Sequence, residues 1–160
     1  MNFVVKASLA IATVNLMALP LFGAEPEMLL TKEMARNDIA VFRQDPVSQR
    51  GLAAGELVRR FAEKDDSVVV QISDKVVPFL GNMKIMKETQ TVLLDAFVVG
   101  NVDAQFLRNE RKDDPYSGVT EMIEIYKQLK KRDPSLVIED IQKFMDLEKN
   151  GELKSYLVPQ

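Results

Sequence analysis

Apolar residues recur at every third or fourth position along most of this chain, and this spacing limits what it can fold into. The longest such run lies within residues 83–109, where one face collects Met86, Leu93, Phe97, Gly100, Ala104 and Leu107. Side chains at this spacing lie on one side of an α-helix, so the run predicts a long helix. Val92, Val99 and Val102 broaden its apolar surface. We therefore expect this helix to lie at the centre of an all-α fold.

Further helical segments and a short final turn follow the same periodicity. They cover residues 31–43, 52–64, 117–131, 139–149 and 153–157. The connectors at 44–51, 109–116 and 132–137 are short, and helices joined by short connectors pack as antiparallel hairpins. The sequence thus predicts a single-domain bundle of about six helices, spanning residues 25–160 and packed around the helix at 83–109.

Residues 66–80 carry two conflicting patterns. They are rich in β-branched valine and isoleucine, which favours strands. Val69, Ile72 and Val76 nevertheless fit a helical face, and Asp65 and Ser67 are good helix N-caps. No second strand-like run is present to pair with this segment, so we expect a helix here, with a strand as the alternative.

Three small residues, Ala96, Gly100 and Ala104, stand four apart on the long helix. They lie on one side of it and leave room for the backbone of a neighbouring helix. Close packing would justify a glycine that costs about 1 kcal/mol against alanine in mid-helix. Two alternatives stay open: a kink at Gly100, and a face that binds a partner helix or a second copy of the chain.

The first 24 residues have the layout of a cleaved secretory signal peptide. Lys6 precedes an uncharged apolar run, residues 7–22, and the small residues Gly23 and Ala24 follow it. The run is shorter than the roughly 20 residues of a membrane span. We expect cleavage after Gly23 or Ala24, no stable membrane span afterwards, and a periplasmic or secreted protein. An uncleaved N-terminal anchor is the alternative.

Cysteine and histidine are both absent, and so is tryptophan. Without them the chain has no disulfide, no imidazole base, no Ser-His or Cys-His nucleophile pair and none of the usual zinc or copper ligands. With 21 basic and 24 acidic residues, it also lacks the basic excess typical of nucleic-acid binding. Export without disulfides suits a protein of the bacterial envelope. We therefore predict no catalytic, cofactor-binding or metal-binding residues.

Three groups of residues are candidate sites. Met83 and Met86 could offer thioether ligands to Cu(I), but core packing is the favoured interpretation. The acid pairs at 65–66 and 113–114 lack the spacing of a calcium loop and are predicted to cap the helices that follow them. The basic residues at 108, 111 and 112 are typical of a solvated helix C-terminus.

Together these features predict an exported helical protein that acts through protein–protein contacts, with an unknown partner and self-association as one form of contact. Two alternatives remain. One is a carrier of a small apolar ligand or lipid between helices. The other is a hydrolase that uses two carboxylates on cell-wall material, which requires one acid of raised pKa in a cleft.

Overall fold

The computed structural model of this chain describes residues 30–157, and the predicted signal peptide lies outside them. Six helices follow one another along this part of the chain: α1 (Lys32–Gln44), α2 (Gln49–Lys64), α3 (Lys87–Arg108), α4 (Pro115–Arg132), α5 (Glu139–Lys149) and α6 (Leu153–Leu157). No strand occurs among the described residues. The all-α prediction is confirmed.

Short polar side chains fix where several helices begin. Thr31 Oγ1 accepts a hydrogen bond from the amide of Met34 (3.2 Å), and Ser48 Oγ accepts one from the amide of Gly51 (3.0 Å). Asp114 Oδ1 does the same for Ser117 (3.0 Å) at the start of α4. Each bond satisfies an amide that has no partner within its own helix, so the N-terminal boundaries are encoded locally.

The central position expected for the long helix is confirmed for α3. This helix contributes more residues than any other to one continuous core, and they lie on several of its sides, since Val98 and Val99 are both buried. α4 packs antiparallel to it: Arg108 near the end of α3 contacts Asp114, whereas Phe97 lies against Gly118 further along α4. The hairpin prediction therefore holds for this pair.

Helices α2 and α3 are related differently. Gly55 lies against Asp95 in the first half of α3, and Phe61 packs edge-on against Phe106 near its end, with 5.7 Å between ring centroids. The first half of α2 thus contacts the first half of α3, and the end of α2 contacts the end of α3. These two helices therefore run in the same direction. Such a pair needs a long return connection rather than a hairpin.

Residues 65–86 provide that return, and the helix predicted for 66–80 is wrong. This connector has turns but neither helix nor strand. It runs back along α3, with Val69 beside Gln105 and Gly81 beside Gln90. Val68, Val76, Val77 and Phe79 are buried in the core. The apolar pattern indicated burial correctly for Val76 and Phe79, which the chain buries in an irregular conformation, but Ile72 on the same predicted face is 51% exposed.

The predicted ends of the central helix also need correction. α3 begins at Lys87 instead of residue 83, and Met86, expected on its buried face, is 67% exposed. Leu107 is 77% exposed at the other end. The prediction extended the apolar face beyond the length that the neighbouring helices cover. Leu93, Phe97, Gly100 and Ala104, which lie between, are buried as expected.

Candidate functional site

The most unusual surface of the described chain is the end of the connector at residues 80–86, which we call the methionine turn. It closes through successive backbone bonds: Leu80 N–H donates to the carbonyl of Val77 (3.1 Å), and Ile85 N–H donates to that of Asn82 (3.0 Å). Gly81 has a φ of 81°, a left-handed conformation that glycine adopts without steric cost. The turn follows Phe79, whose ring is fully buried.

One side chain of α3 holds the methionine turn in place. Gln90 Oε1 accepts a hydrogen bond from the amide of Gly81 (3.0 Å). Its Nε2 donates to the carbonyl oxygens of Asn82 (2.8 Å) and Ile85 (2.9 Å). Three bonds from a rigid helix to three backbone groups fix the shape of the turn before anything binds to it.

This fixed turn presents apolar side chains to solvent. Met83 is 99% exposed, and Leu80 and Met86 are exposed as well. The favoured prediction, that Met83 and Met86 pack in the core, is therefore wrong. The thioether alternative remains without a histidine or cysteine to complete a copper site, because the chain has none.

A cleft of about 310 Å³ separates the methionine turn from the segment that leads into α5. Lys84 and Ile85 line its first side, and Val137, Glu139 and Asp140 line the other. Val137 is 61% exposed and adds to the apolar surface. Within residues 30–157 neither Lys84 nor the two acids form an ion pair, so charges of both signs stand unpaired on the two sides of the cleft.

Two of the small residues singled out in the sequence, Gly100 and Ala104, face α4. A Cβ atom added at Gly100 would lie 2.5 Å from the carbonyl oxygen of Ser117 and 2.5 Å from Cβ of Glu121. Ala96 is fully buried, and Ala104 lines a groove of about 220 Å³ beside Leu107. α3 runs without interruption through Gly100. The backbone of α4 thus occupies the space that the glycine leaves.

Arg43 of α1 closes one side of that groove. Its guanidinium donates to both Glu121 carboxylate oxygens and, through Nη1, to Asp103 Oδ2 at 2.8 Å. The hydrogen bonds that Arg43 donates to Glu121 outweigh partial burial and raise the pKa of Arg43 further above its usual range. Three helices are therefore joined by one cation.

Among residues 30–157, Asp95 is the buried acid that most resembles a catalytic group. Only 1% of it is exposed, and burial raises its pKa although Arg59 Nε donates to its Oδ1 at 2.8 Å. It lies at a cleft of about 430 Å³ that Glu56 and Glu88 also line. An acid of raised pKa near other carboxylates is what the hydrolase alternative requires. Its burial and its bond to Arg59 equally suit an ion pair that joins α2 to α3.

The acid pairs divide into different roles. Asp114 caps α4 as predicted, and bonds from Ser117 and Arg108 outweigh desolvation and lower its pKa. Asp113 instead accepts hydrogen bonds from Asn101 Nδ2 (2.8 Å) and from the amide of Gln71 (3.0 Å). Asp65 follows the last turn of α2, and its Oδ1 accepts from Ser67 N–H, so the cap predicted before a helix at 66 is wrong.

The basic residues after α3 lie beside the largest of these clefts, about 450 Å³, which includes Lys112 and Lys154. Arg108 pairs with Asp114, and Arg108, Arg111 and Lys112 are all exposed. Acids Glu110, Asp113 and Asp114 line the same cleft. The mixed charge fits a solvated helix end.

A buried polar pair in the middle of α3 escaped the sequence analysis. Asn101 is completely buried and Gln105 nearly so, and Gln105 Nε2 donates to Asn101 Oδ1 at 2.8 Å. The same Asn101 oxygen accepts from the amide of Asp114 (3.1 Å). The available signal was two amide side chains four residues apart on an otherwise apolar surface, a spacing that places them side by side.

Residues 30–157 lack two features that would indicate a function. They contain no group of three or more acidic, histidine or cysteine side chains placed to hold a metal ion. None of their helices combines the length and apolar character of a bilayer span.

Comparison with known proteins gives no family assignment: no family model, no curated protein and no solved structure matches this chain.

Proposed function

We propose that this chain is an exported helical protein that acts by binding another protein chain through the methionine turn, without catalysis. The observation that carries the proposal is Met83, 99% exposed on a turn that Gln90 fixes with three hydrogen bonds. An apolar side chain on a backbone that is fixed in an exposed position is a feature of binding surfaces. Its exposure to water contributes nothing to the stability of the fold.

The chemistry of the turn supports this interpretation. Methionine side chains are flexible and polarisable, which suits them to fill the irregular surface of a partner. The backbone that presents them is already fixed, so binding would not have to order it, and that lowers the entropic cost of association. Val137 across the cleft extends the apolar contact.

Export rests on the sequence of residues 1–24, with its single lysine, its apolar run and its small residues at 23 and 24. The periplasm of a bacterium, or the medium, is the proposed location. Cell fractionation and N-terminal sequencing of the protein made in its own cells test this. A mature chain that starts at residue 24 or 25 supports export with cleavage, whereas an intact N-terminus in the cytoplasm contradicts it.

Site-specific photo-crosslinking tests the contact surface. A benzophenone amino acid replaces Met83 in one variant, Leu107 in a second and Ile72 in a third, since all three side chains are more than half exposed. We expect a discrete protein adduct in intact cells from position 83 alone. Adducts from position 107 alone would move the contact to the groove beside Gly100 and Ala104. Adducts to lipid from position 83 would favour the carrier alternative.

The hydrolase alternative has one observation in its favour, the raised pKa of Asp95 at a cleft shared with Glu56 and Glu88. The test is release of soluble fragments from purified cell-wall polysaccharide. Activity that disappears in both Glu56→Gln and Glu88→Gln, with unchanged thermal melting, would support it. No release by the wild-type protein would eliminate it.

A further inference from the structure

We propose that the partner bound at the methionine turn is a second copy of this chain, in a dimer with two-fold symmetry. The inference rests on the proposed function and goes further by naming the occupant. In this dimer Lys84 faces the partner subunit's Glu139 and the partner subunit's Asp140. The exposed side chains of Met83 and Val137 meet their equivalents at the centre.

The distribution of charge around the cleft carries this inference. The cation and the two acids lie on opposite sides of a single cleft, Lys84 on the methionine turn and Glu139 and Asp140 at the start of α5. They are not within ion-pairing distance of each other, and within residues 30–157 they pair with nothing else. This surface therefore presents a cation and two acids that could form ion pairs but do not pair with each other.

Symmetry then determines which partner fits. A two-fold axis brings the same patch of two subunits together, so each residue that contacts a different residue makes that contact twice. An axis through the cleft places the lysine of each subunit opposite the acids of the other. A partner with a surface of one charge would satisfy only half of these groups.

Exposed apolar side chains stand next to the charged ones along the chain. Met83 and Met86 flank Lys84 in the sequence on one side, and Val137 precedes Glu139 on the other. Interfaces are typically apolar at the centre and polar at the rim. Because the turn is fixed by Gln90, both copies present the same shape before they meet.

A charge exchange between two variants tests the proposed contact. In Lys84→Glu every charge at the contact is negative, and in the double variant Glu139→Lys, Asp140→Lys every charge is positive. Each variant alone should dissociate at least tenfold more readily than wild type, as measured by sedimentation equilibrium. Mixed in equal amounts, they restore both contacts of a two-fold dimer. The mixture should therefore dimerise within about threefold of the wild-type dissociation constant.

A second pair of measurements makes the test independent of α5, whose first turn the acid-to-lysine changes could weaken. Met83→Ser, Met86→Ser removes the apolar centre and should also raise the dissociation constant at least tenfold. Leu107→Ser is the matched control, an exposed apolar residue on the other end of α3, and should leave the dimer unchanged. Thermal melting of each variant confirms that it is folded.

The outcomes separate this inference from the proposed function. A chain that stays monomeric at about 1 mM, near the weak limit of specific binding, overturns the second-copy proposal. If Met83 still crosslinks a different protein in cells, the proposed function stands. A dimer that the Lys84 and Met83 variants leave intact overturns the second-copy proposal at this surface. Loss of all crosslinks from position 83 overturns both.

Discussion

The side chain of Gln105 forms hydrogen bonds with both backbone groups of Val69. Its Oε1 accepts from the valine amide at 3.0 Å, and its Nε2 donates to the valine carbonyl at 2.7 Å. The amide group of Gln105 thus satisfies both backbone groups of Val69, as a residue on a neighbouring β-strand would. This contact holds the irregular connector against α3, and with it the return path that allows α2 and α3 to run in the same direction.

Replacing Gln105 by leucine is expected to destabilise the protein by about 3 kcal/mol. The substitution removes the partner of both backbone groups of Val69 and leaves Asn101 Oδ1 with the Asp114 amide alone, and each buried unsatisfied group costs about 1–3 kcal/mol. Urea denaturation measures the loss. Gln44→Leu, at the exposed end of α1, is the control and should change stability by less than about 0.5 kcal/mol. Equal effects of the two changes would contradict a structural role for Gln105.

Gly100→Ala should destabilise the protein even though alanine favours helix. The added Cβ would lie 2.5 Å from the Ser117 carbonyl oxygen, which belongs to the backbone of α4 and cannot rotate away. Overpacking of this kind costs about 1–3 kcal/mol, which outweighs the helix-propensity gain of about 1 kcal/mol. Ala53→Gly at an exposed position of α2 measures that propensity directly. A rise in melting temperature for Gly100→Ala would show that α4 moves aside.

Asp95→Asn should change the pH dependence of stability in a defined direction. Burial raises the pKa of Asp95 above 3.8 in the folded state, so the folded protein binds this proton more tightly than the unfolded chain does. Lowering the pH through the folded pKa therefore stabilises wild type relative to Asp95→Asn. At pH 7 the two should differ by less than about 1.5 kcal/mol, since asparagine can still accept from Arg59. A loss of wild-type stability relative to Asp95→Asn as the pH falls would contradict this sign.

Asp114→Asn should show the opposite dependence. Bonds from Ser117 and Arg108 lower the pKa of Asp114 in the folded state, so its carboxylate contributes stability above pH 3.8 that is lost as the pH falls through the folded pKa. Asparagine preserves the helix cap but not the charge. We expect a loss of about 1 kcal/mol at pH 7 that disappears in acid. Thermal melts of both proteins between pH 7 and pH 3 test this, and an undiminished difference at pH 3 would overturn it.

The candidate site was visible in the sequence only as two methionines, Met83 and Met86. Met86 fits the three-to-four spacing that continues to Leu93, so periodicity placed it on a buried face. Met86 is exposed because α3 starts one residue later, at Lys87, and because the Gln90 side chain donates a hydrogen bond to the carbonyl oxygen of Ile85 in the preceding turn. The cleft charges on Lys84 and Asp140 come from distant parts of the chain, and nothing in their local sequence relates them.

The sequence by itself determined most of the helical segments and the side-chain caps that begin α1, α2 and α4, because that information is local. A face of Leu93 and Phe97 repeats within one segment, and a cap such as Ser48 or Asp114 bonds to an amide three residues away. Only the tertiary structure decided the conformation of residues 65–86 and the surface that they form. Their β-branched residues favour burial in any conformation, and the choice among helix, strand and irregular chain depended on Gln105 and Gln90. Those side chains act on the connector only after α3 has packed beside it.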